Sequence, residues 1–222
     1  MTLIRRVAAA RKITFCGTVK HIFKRSHNQN NRMEQFALLG PVEAGPLSHT
    51  FSAAQAKSDA ILARLTKPHY VSVIEVGCAV GTLSALLQAR CDRFLGIDLS
   101  STAIERAKTR LAHCNNVGLR QVSVPHRWPR RQADLIVLSE TLHHLSAKAL
   151  RDLARCINSS LIPGSEIVVL VRPGNTDTRL SGAQAAQIFI HALAALRTLQ
   201  IYQHLQAPGY VHYTLLCPVV GK

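Results

Sequence analysis

The stretch VSVIEVGCAVGTLSALLQARCDRFLGIDLSS, residues 71–101, decides the fold. Its first six residues are mostly apolar and rich in β-branched side chains, the composition of a strand buried on both faces. The chain then turns through Gly77 and Gly81 straight into a helical run, residues 81–90, and returns to an apolar segment, 93–98, that ends on Asp98. A strand–helix–strand unit with connections this short implies a right-handed crossover and parallel strands. In open sheets of this kind, ligands bind beyond the carboxyl ends of the strands. A two-glycine turn at such an end lets the backbone approach a ligand and aims free helix N–H groups at it.

Working outward, the alternation continues. Residues 118–124 and 133–139 read as the third and fourth strands and 166–172 as the fifth, entered through a turn at Pro163-Gly164. Helices are expected at 102–113, opened by a capping box of Thr102 and Glu105, at 146–160 from near Ser146, and at 183–196. Two last strands, 198–205 and 209–218, are close enough in sequence to pair as a hairpin. The expected fold is therefore α/β: a doubly wound, Rossmann-like, seven-stranded and mostly parallel sheet with a C-terminal antiparallel hairpin. Before it, residues 51–65 read as a lead-in helix and 37–50, with two Gly-Pro pairs, as a linker. Residues 1–50 are expected to form a basic arm and linker, and 51–222 the domain.

The chain's net charge of +15 sits largely in that arm. Residues 1–32 hold eight Lys or Arg and no acid, leaving 19 basic against 12 acidic side chains elsewhere. The arm reads as a basic tail for an anionic partner such as nucleic acid or membrane, a targeting segment, or an upstream extension of a chain starting at Met33. The six cysteines form no C-x-x-C pair and no zinc spacing with His, so no metal is expected and a reducing, cytoplasmic location is. No apolar stretch reaches the 18 residues of a membrane span.

The turn Glu75-Val-Gly77-Cys78-Ala79-Val-Gly81 lacks the glycines at 79 and 82 that a nicotinamide fingerprint needs. It resembles the first motif, E/D-x-G-x-G-x-G, of class I S-adenosylmethionine (SAM)-dependent methyltransferases, with Ala79 at the middle glycine. Residues 134–140 (DLIVLSE) resemble that superfamily's fourth-strand motif. Together with VPHRWP (124–129) and TRLSGAQAAQIF (178–189), they make residues 52–216 similar to the nodulation-type, NodS-like N-methyltransferases. The resemblance implies SAM as cofactor, held by Glu75, Gly77, Cys78, Ala79 and Gly81, by Asp98 and Leu99 at the ribose, by Ser123 and Val124 near the adenine, and by Ser139. Glu75 would orient the turn or join the network around the ammonium end of the cofactor.

The resemblance also implies a small-molecule or saccharide acceptor, methylated at an amine or, on the same scaffold, a hydroxyl, because the best-understood members N-methylate an amino sugar of a chitooligosaccharide. Departures stand at His143 and His144, where relatives often carry aromatics, and at Val171-Arg172, where they often have His-Trp. Glu140, His143 and His144 follow strand four, where the methyl group is expected, and are the candidate bases for an amine acceptor. An RNA-directed methyltransferase is an alternative suggested by the charge, but Ser139-Glu-Thr-Leu142 stands where base-amine enzymes carry an N/D-P-P-Y tetrapeptide. A non-catalytic SAM-binding protein is the other alternative.

Overall fold

A computed structural model describes residues 57–172, 174, 178–207 and 209–218. The basic arm, the linker, Met33 and the start of the lead-in helix lie outside the described residues.

Helix α1 (57–62) leads to β1 (Tyr70–Val76). There follow α2 (Thr82–Leu87), β2 (Cys91–Asp98), α3 (Ser101–Arg110), β3 (Val117–Gln121), β4 (Ala133–Ser139), α4 (Ala147–Ser160), β5 (Leu161–Val171), α5 (Gly182–Ala194), β6 (Gln200–Ala207) and β7 (Tyr210–Leu216). The seven strands form one sheet in the order β3-β2-β1-β4-β5-β7-β6. β1 to β5 are parallel; β7 runs antiparallel to both of its neighbours, β5 and β6. The order reverses at β1, which has β2 on one side and β4 on the other. The crevice at such a reversal is where open α/β sheets hold ligands.

Apolar side chains cover both faces of the sheet. On one face Ile74, Leu95, Ile136 and Val169 pack under α4 and α5, which bring Leu150, Leu153, Ile157, Phe189 and Leu193. On the other, Val73, Phe94, Leu135 and Val168 meet Ile61 of α1 and Leu83 and Leu87 of α2. Leu150, Leu153, Ala154 and Ile157 recur at the spacing of one helix face, so α4 buries a continuous apolar stripe. Its first turn is closed by Ser146, whose side chain accepts from the Ala149 N–H. No helix among the described residues is long and apolar enough to cross a membrane.

Several boundaries differ from the sequence reading. Helix α3 is not opened by a Thr102–Glu105 box. Ser100 caps it by accepting from Ala103 N at 3.2 Å, while Glu105 pairs with Lys108 at 2.8 Å, and the helix ends at Arg110 rather than 113. Residues 88–90 tighten into a 3-10 turn after α2. The third strand stops at Gln121, although Val122 N still donates to Asp98 O at 2.8 Å. Pro163 and Gly164 do not precede the fifth strand but lie within it. Between the pairs Ala133–Leu161 and Leu135–Glu166 β5 spends five residues against two, and this bulge holds both. The capping box that does form opens α5: Ser181 with Gln184.

Candidate functional site

The carboxyl ends of β1, β2 and β4 converge on the turn 77–81. Gly77, Ala79 and Gly81 all have positive φ, at 80°, 46° and 79°. Gly77 has no alternative, because a Cβ there would sit 2.2 Å from the Thr141 hydroxyl. Ala79 takes the same left-handed conformation with a side chain, at a cost of roughly 1–2 kcal/mol. The surroundings impose that conformation. Gly77 N and Cys78 N both donate to Ile97 O, at 2.8 and 3.2 Å, and Arg110 Nε holds Val80 O at 2.9 Å.

Asp98 is the pivot. One carboxylate oxygen accepts from Ala79 N at 2.9 Å and the other from Ser100 N at 2.9 Å. The carboxylate thereby joins the first turn to the loop after β2, and each oxygen keeps a further lone pair for an incoming donor. Two hydroxyls on adjacent carbons, as on a ribose, match that capacity. Leu99 is half-buried, and its carbonyl accepts from Gln121 Nε2 at 3.0 Å.

Glu75 faces away from this opening. It is 2% exposed, and its Oε2 accepts from Ser84 Oγ of α2 at 2.5 Å. Burial, partly offset by the Ser84 bond and reinforced by the charge of Asp98, pushes its pKa up to about 7. Of the two roles implied by the resemblance, this geometry suits orienting the turn. Cys78 also points inward: its sulfur lies 3.1 Å from where a Cβ on Gly96 would stand, so it offers the site only its backbone. Burial raises its thiol pKa above the ordinary range, which leaves the group inert.

After β4 the chain makes a second strained turn. Glu140 has φ 55°, held by its N–H on Leu170 O at 2.8 Å. Thr141 Oγ1 lies 3.0 Å from both Val76 O and Ser139 O, stitching β4 to the end of β1 beside Gly77. The Glu140 carboxylate sits between two cations: Lys57 Nζ at 2.5 Å from Oε1 and Arg172 Nε at 3.4 Å from Oε2. His143 and His144 occupy the 3-10 turn Leu142–His144, with ring centroids 4.1 Å apart. His143 is 6% exposed, and burial, then its neighbour His144, lowers its pKa to about 4 against the opposing pull of Glu140. Burial lowers His144 as well, opposed by Glu140, and the charge of Asp98 acts on it too.

The structure therefore brings Gly77, Ala79, Gly81, Asp98, Ser139, Glu140, His143 and His144 to one end of the sheet. Ser123 and Val124 follow β3 and are half-buried; Ser123 O accepts from Arg127 N at 3.0 Å. Sequence reasoning missed Thr141, Ser100 and Lys57. Ser100 was legible as a cap one residue before the helix. Lys57 was not, because its partner lies 83 residues away.

The family profile described as "Methyltransferase domain" matches residues 74–167. Nodulation protein S of Bradyrhizobium diazoefficiens is 32% identical over 74 residues, which are 33% of this chain and 35% of that protein. Nodulation protein S of Sinorhizobium fredii is 29% identical over 105 residues, 47% of this chain and 49% of that protein. The matches thus span half or less of these relatives' length. A solved structure assigned to the methyltransferases, from Pseudomonas syringae, is 31% identical with a TM-score of 0.61, over 74% of this chain and 98% of that one. The N-methyltransferase NodS from Bradyrhizobium japonicum WM9, in complex with S-adenosyl-L-homocysteine, has the same fold. Its TM-score is 0.67 at 18% identity, over 86% of this chain and 100% of that one. S-adenosyl-L-methionine is the methyl donor of such enzymes, and the Asp98 carboxylate with the Gly77–Gly81 turn fits it. The chain belongs to the SAM-dependent methyltransferases and is similar over part of its length to the nodulation protein S relatives.

Proposed function

We propose that this chain transfers a methyl group from SAM to an amine of a small molecule or saccharide. The single observation that carries the reading is one shared rim: the turn 77–81 and Asp98, which suit the cofactor, lie beside a carboxylate, Glu140, flanked by two imidazoles. Bound SAM supplies a methyl carbon already activated by a sulfonium. The chain's own residues then have to place a nucleophile in line with it, and orientation of this kind is worth effective molarities of about 10⁵–10⁸ M. Gly77, Ala79, Gly81 and Asp98 would fix the cofactor, Glu75 would hold the turn through Ser84, and Ser139, Ser123 and Val124 would border it. Glu140 would attract the acceptor's ammonium and take a hydrogen bond from it. His143 and His144, uncharged at neutral pH, would accept a hydrogen bond or a proton from it without repelling it.

The amine preference rests on Glu140, since an anion beside the acceptor favours a cationic group over a neutral hydroxyl. The name of the N-methyltransferase NodS agrees with it. The catalytic unit in this reading starts near residue 51, and its unpaired cysteines suit the reducing cytoplasm. A screen with labelled SAM would compare oligosaccharides bearing a free amine with their N-acetylated forms and with hydroxyl-only acceptors. Label is expected in the free-amine series. Label only in the hydroxyl series overturns the amine preference. A folded, SAM-binding protein that labels nothing overturns methyl transfer.

A further inference from the structure

Glu140 has more cations than it can neutralise. Lys57 and Arg172 both face its one carboxylate, at 2.5 and 3.4 Å, so among the described residues the cations in contact with Glu140 outnumber it. A protonated amine approaching this end of β4 is repelled unless one cation leaves. Arg172 is the weaker partner in geometry: its side chain is 63% exposed, and Glu140 Oε2 has no hydrogen-bond partner among the described residues despite it. Lys57 makes the hydrogen bond, and both ends of that bond are shielded, with side chains 24% and 21% exposed. Lys57 comes from α1, outside the sheet, and carries a primary ammonium on a flexible stem. Glu140 is held in a left-handed conformation that an ordinary residue avoids, so the backbone from which its side chain starts is set by the fold and not by Lys57.

We infer that Lys57 occupies the acceptor's subsite: its Nζ stands where the acceptor amine binds on Glu140 Oε1, and the acceptor enters by displacing it. This rests on the amine reading given above. Lys57 is thus a positioning and specificity residue. It keeps the carboxylate paired while no acceptor is bound, and it admits a group able to replace an ammonium while excluding neutral hydroxyl compounds of the same size. An exchange of one ammonium for another leaves the charge of the cluster unchanged, so the acceptor meets no added repulsion.

Truncating Lys57 to Ala removes three carbons and the ammonium, and propylamine is that missing piece. The Lys57→Ala protein saturated with SAM is therefore offered propylamine, with propanol as the neutral control. In the expected transfer the ammonium held on Glu140 first gives a proton to solvent, and the lone pair of the resulting amine forms the N–CH3 bond. The S–CH3 bond breaks with its electrons left on sulfur, and the secondary ammonium product releases its proton to solvent. N-Methylpropylamine should form at least about tenfold faster than with wild type, the factor expected when a competing ion pair worth about 1.4 kcal/mol is removed. Propanol should give nothing, and adding Glu140→Gln should erase the gain. Lys57→Met, which keeps the packing of the stem, should lower the KM of any amine that wild type accepts and leave SAM affinity unchanged. The inference is overturned if wild type methylates an amine while Lys57→Ala binds propylamine and leaves it unmethylated. It is overturned too if Lys57→Met raises that KM, the result for a lysine that binds an anionic acceptor. If wild type methylates no amine in the acceptor screen, the amine reading itself falls, independently of what Lys57 binds.

Discussion

The two ends of the sheet hold their carboxylates in opposite ways. At the amino end of the parallel strands, Asp134 accepts from Val71 N and Ser72 N, at 3.1 and 2.8 Å. Glu166, fully buried, accepts from Thr66 Oγ1 and Tyr70 OH, both at 2.6 Å, and from Thr66 N. These acids are met mainly by neutral donors that join the first strand to the fourth and fifth, with Lys67 Nζ standing off at 3.9 Å from Asp134 Oδ2. At the carboxyl end, Asp98 spends one lone pair per oxygen on the backbone, and Glu140, at a strained position, sits between two cations. Neutral, pre-positioned donors stabilise a fold because nothing has to move. Spare lone pairs and exchangeable cations are what a binding site needs. The same residue type thus ties strands together at one rim and, in the proposed function, serves recognition at the other.

That contrast is most sharply tested by Glu166→Ala. It strips the partner from Tyr70 OH, which is buried, and from Thr66 N and Oγ1 on an exposed residue; with about 1–3 kcal/mol for the buried donor left unpaired and about 0.5–1.5 kcal/mol for each of the other two bonds lost, the loss should be about 4 kcal/mol. Chemical denaturation measures it. SAM affinity of the folded fraction should not change; a parallel loss of affinity would join the two rims and break the distinction.

Glu75 sits between the two cases, and its linkage to pH has a definite sign. Its pKa rises from an ordinary 4.5 to about 7 on folding, so the folded state binds the proton more tightly. Its contribution is best below pH 4.5 and is lost as pH rises from there through 7. A shift of that size corresponds to about 3 kcal/mol. Glu75→Gln should therefore stabilise the protein by up to that amount at pH 8 and leave it unchanged at pH 4. Denaturation midpoints at the two values check this, and a variant destabilised at pH 8 would show that the ionised carboxylate is needed.

For Asp98→Ala the expected effect is on the cofactor. Losing two charge-assisted bonds to ribose hydroxyls should weaken SAM about 100-fold. Calorimetry decides, and equal affinity in a folded variant would remove Asp98 from the site.

Most of the sheet was legible because buried parallel strands leave continuous apolar runs: β4 falls on residues 133–139 as read, and β1 and β2 within two residues. What local pattern could not settle were competitions between neighbours. Thr102–Glu105 has the spacing of a capping box, yet Ser100 is two residues closer to the loop tied down by Asp98 and wins the helix start. Pro163-Gly164 has the composition of a turn, yet pairing of β5 with β4 on both sides of it turns it into a bulge. At the site, Gly77, Gly81 and Asp98 stand out because backbone geometry demands particular residues there. Lys57 and Thr141 carry no local signal, since each acts across the fold. The pKa of His143 was equally hidden, as an imidazole of ordinary value in sequence becomes a weak base only once Leu142 and its neighbours bury the turn.

That last point sets the smallest expected effect. From sequence, His143 is a base poised near neutrality, and its loss should cost turnover steeply, by about 10²–10⁴-fold for an effective general base. In the folded protein its pKa is near 4, with Nδ1 buried and without a hydrogen-bond partner among the described residues. It is uncharged throughout the physiological range, but a proton placed on it is held weakly, so it gives little driving force for transfer. If it acts as the base, kcat should rise through about pH 4 and be flat above pH 5. A base of ordinary imidazole character would instead give a rise centred near 6.5. His143→Ala should then cost less than about tenfold in kcat above pH 5, as uncatalysed loss of the proton to water replaces a weak acceptor. Glu140→Gln should act differently, raising the KM of a cationic acceptor more than it lowers kcat, because it removes the anion that draws the ammonium in. Measuring kcat and KM against pH for both variants, with any accepted amine, separates the two contributions. A steep kcat loss in His143→Ala, together with disappearance of a rise near pH 6.5, would restore the imidazole as the base. It would also show that the cofactor-bound site is wet enough to return the ring to its ordinary pKa.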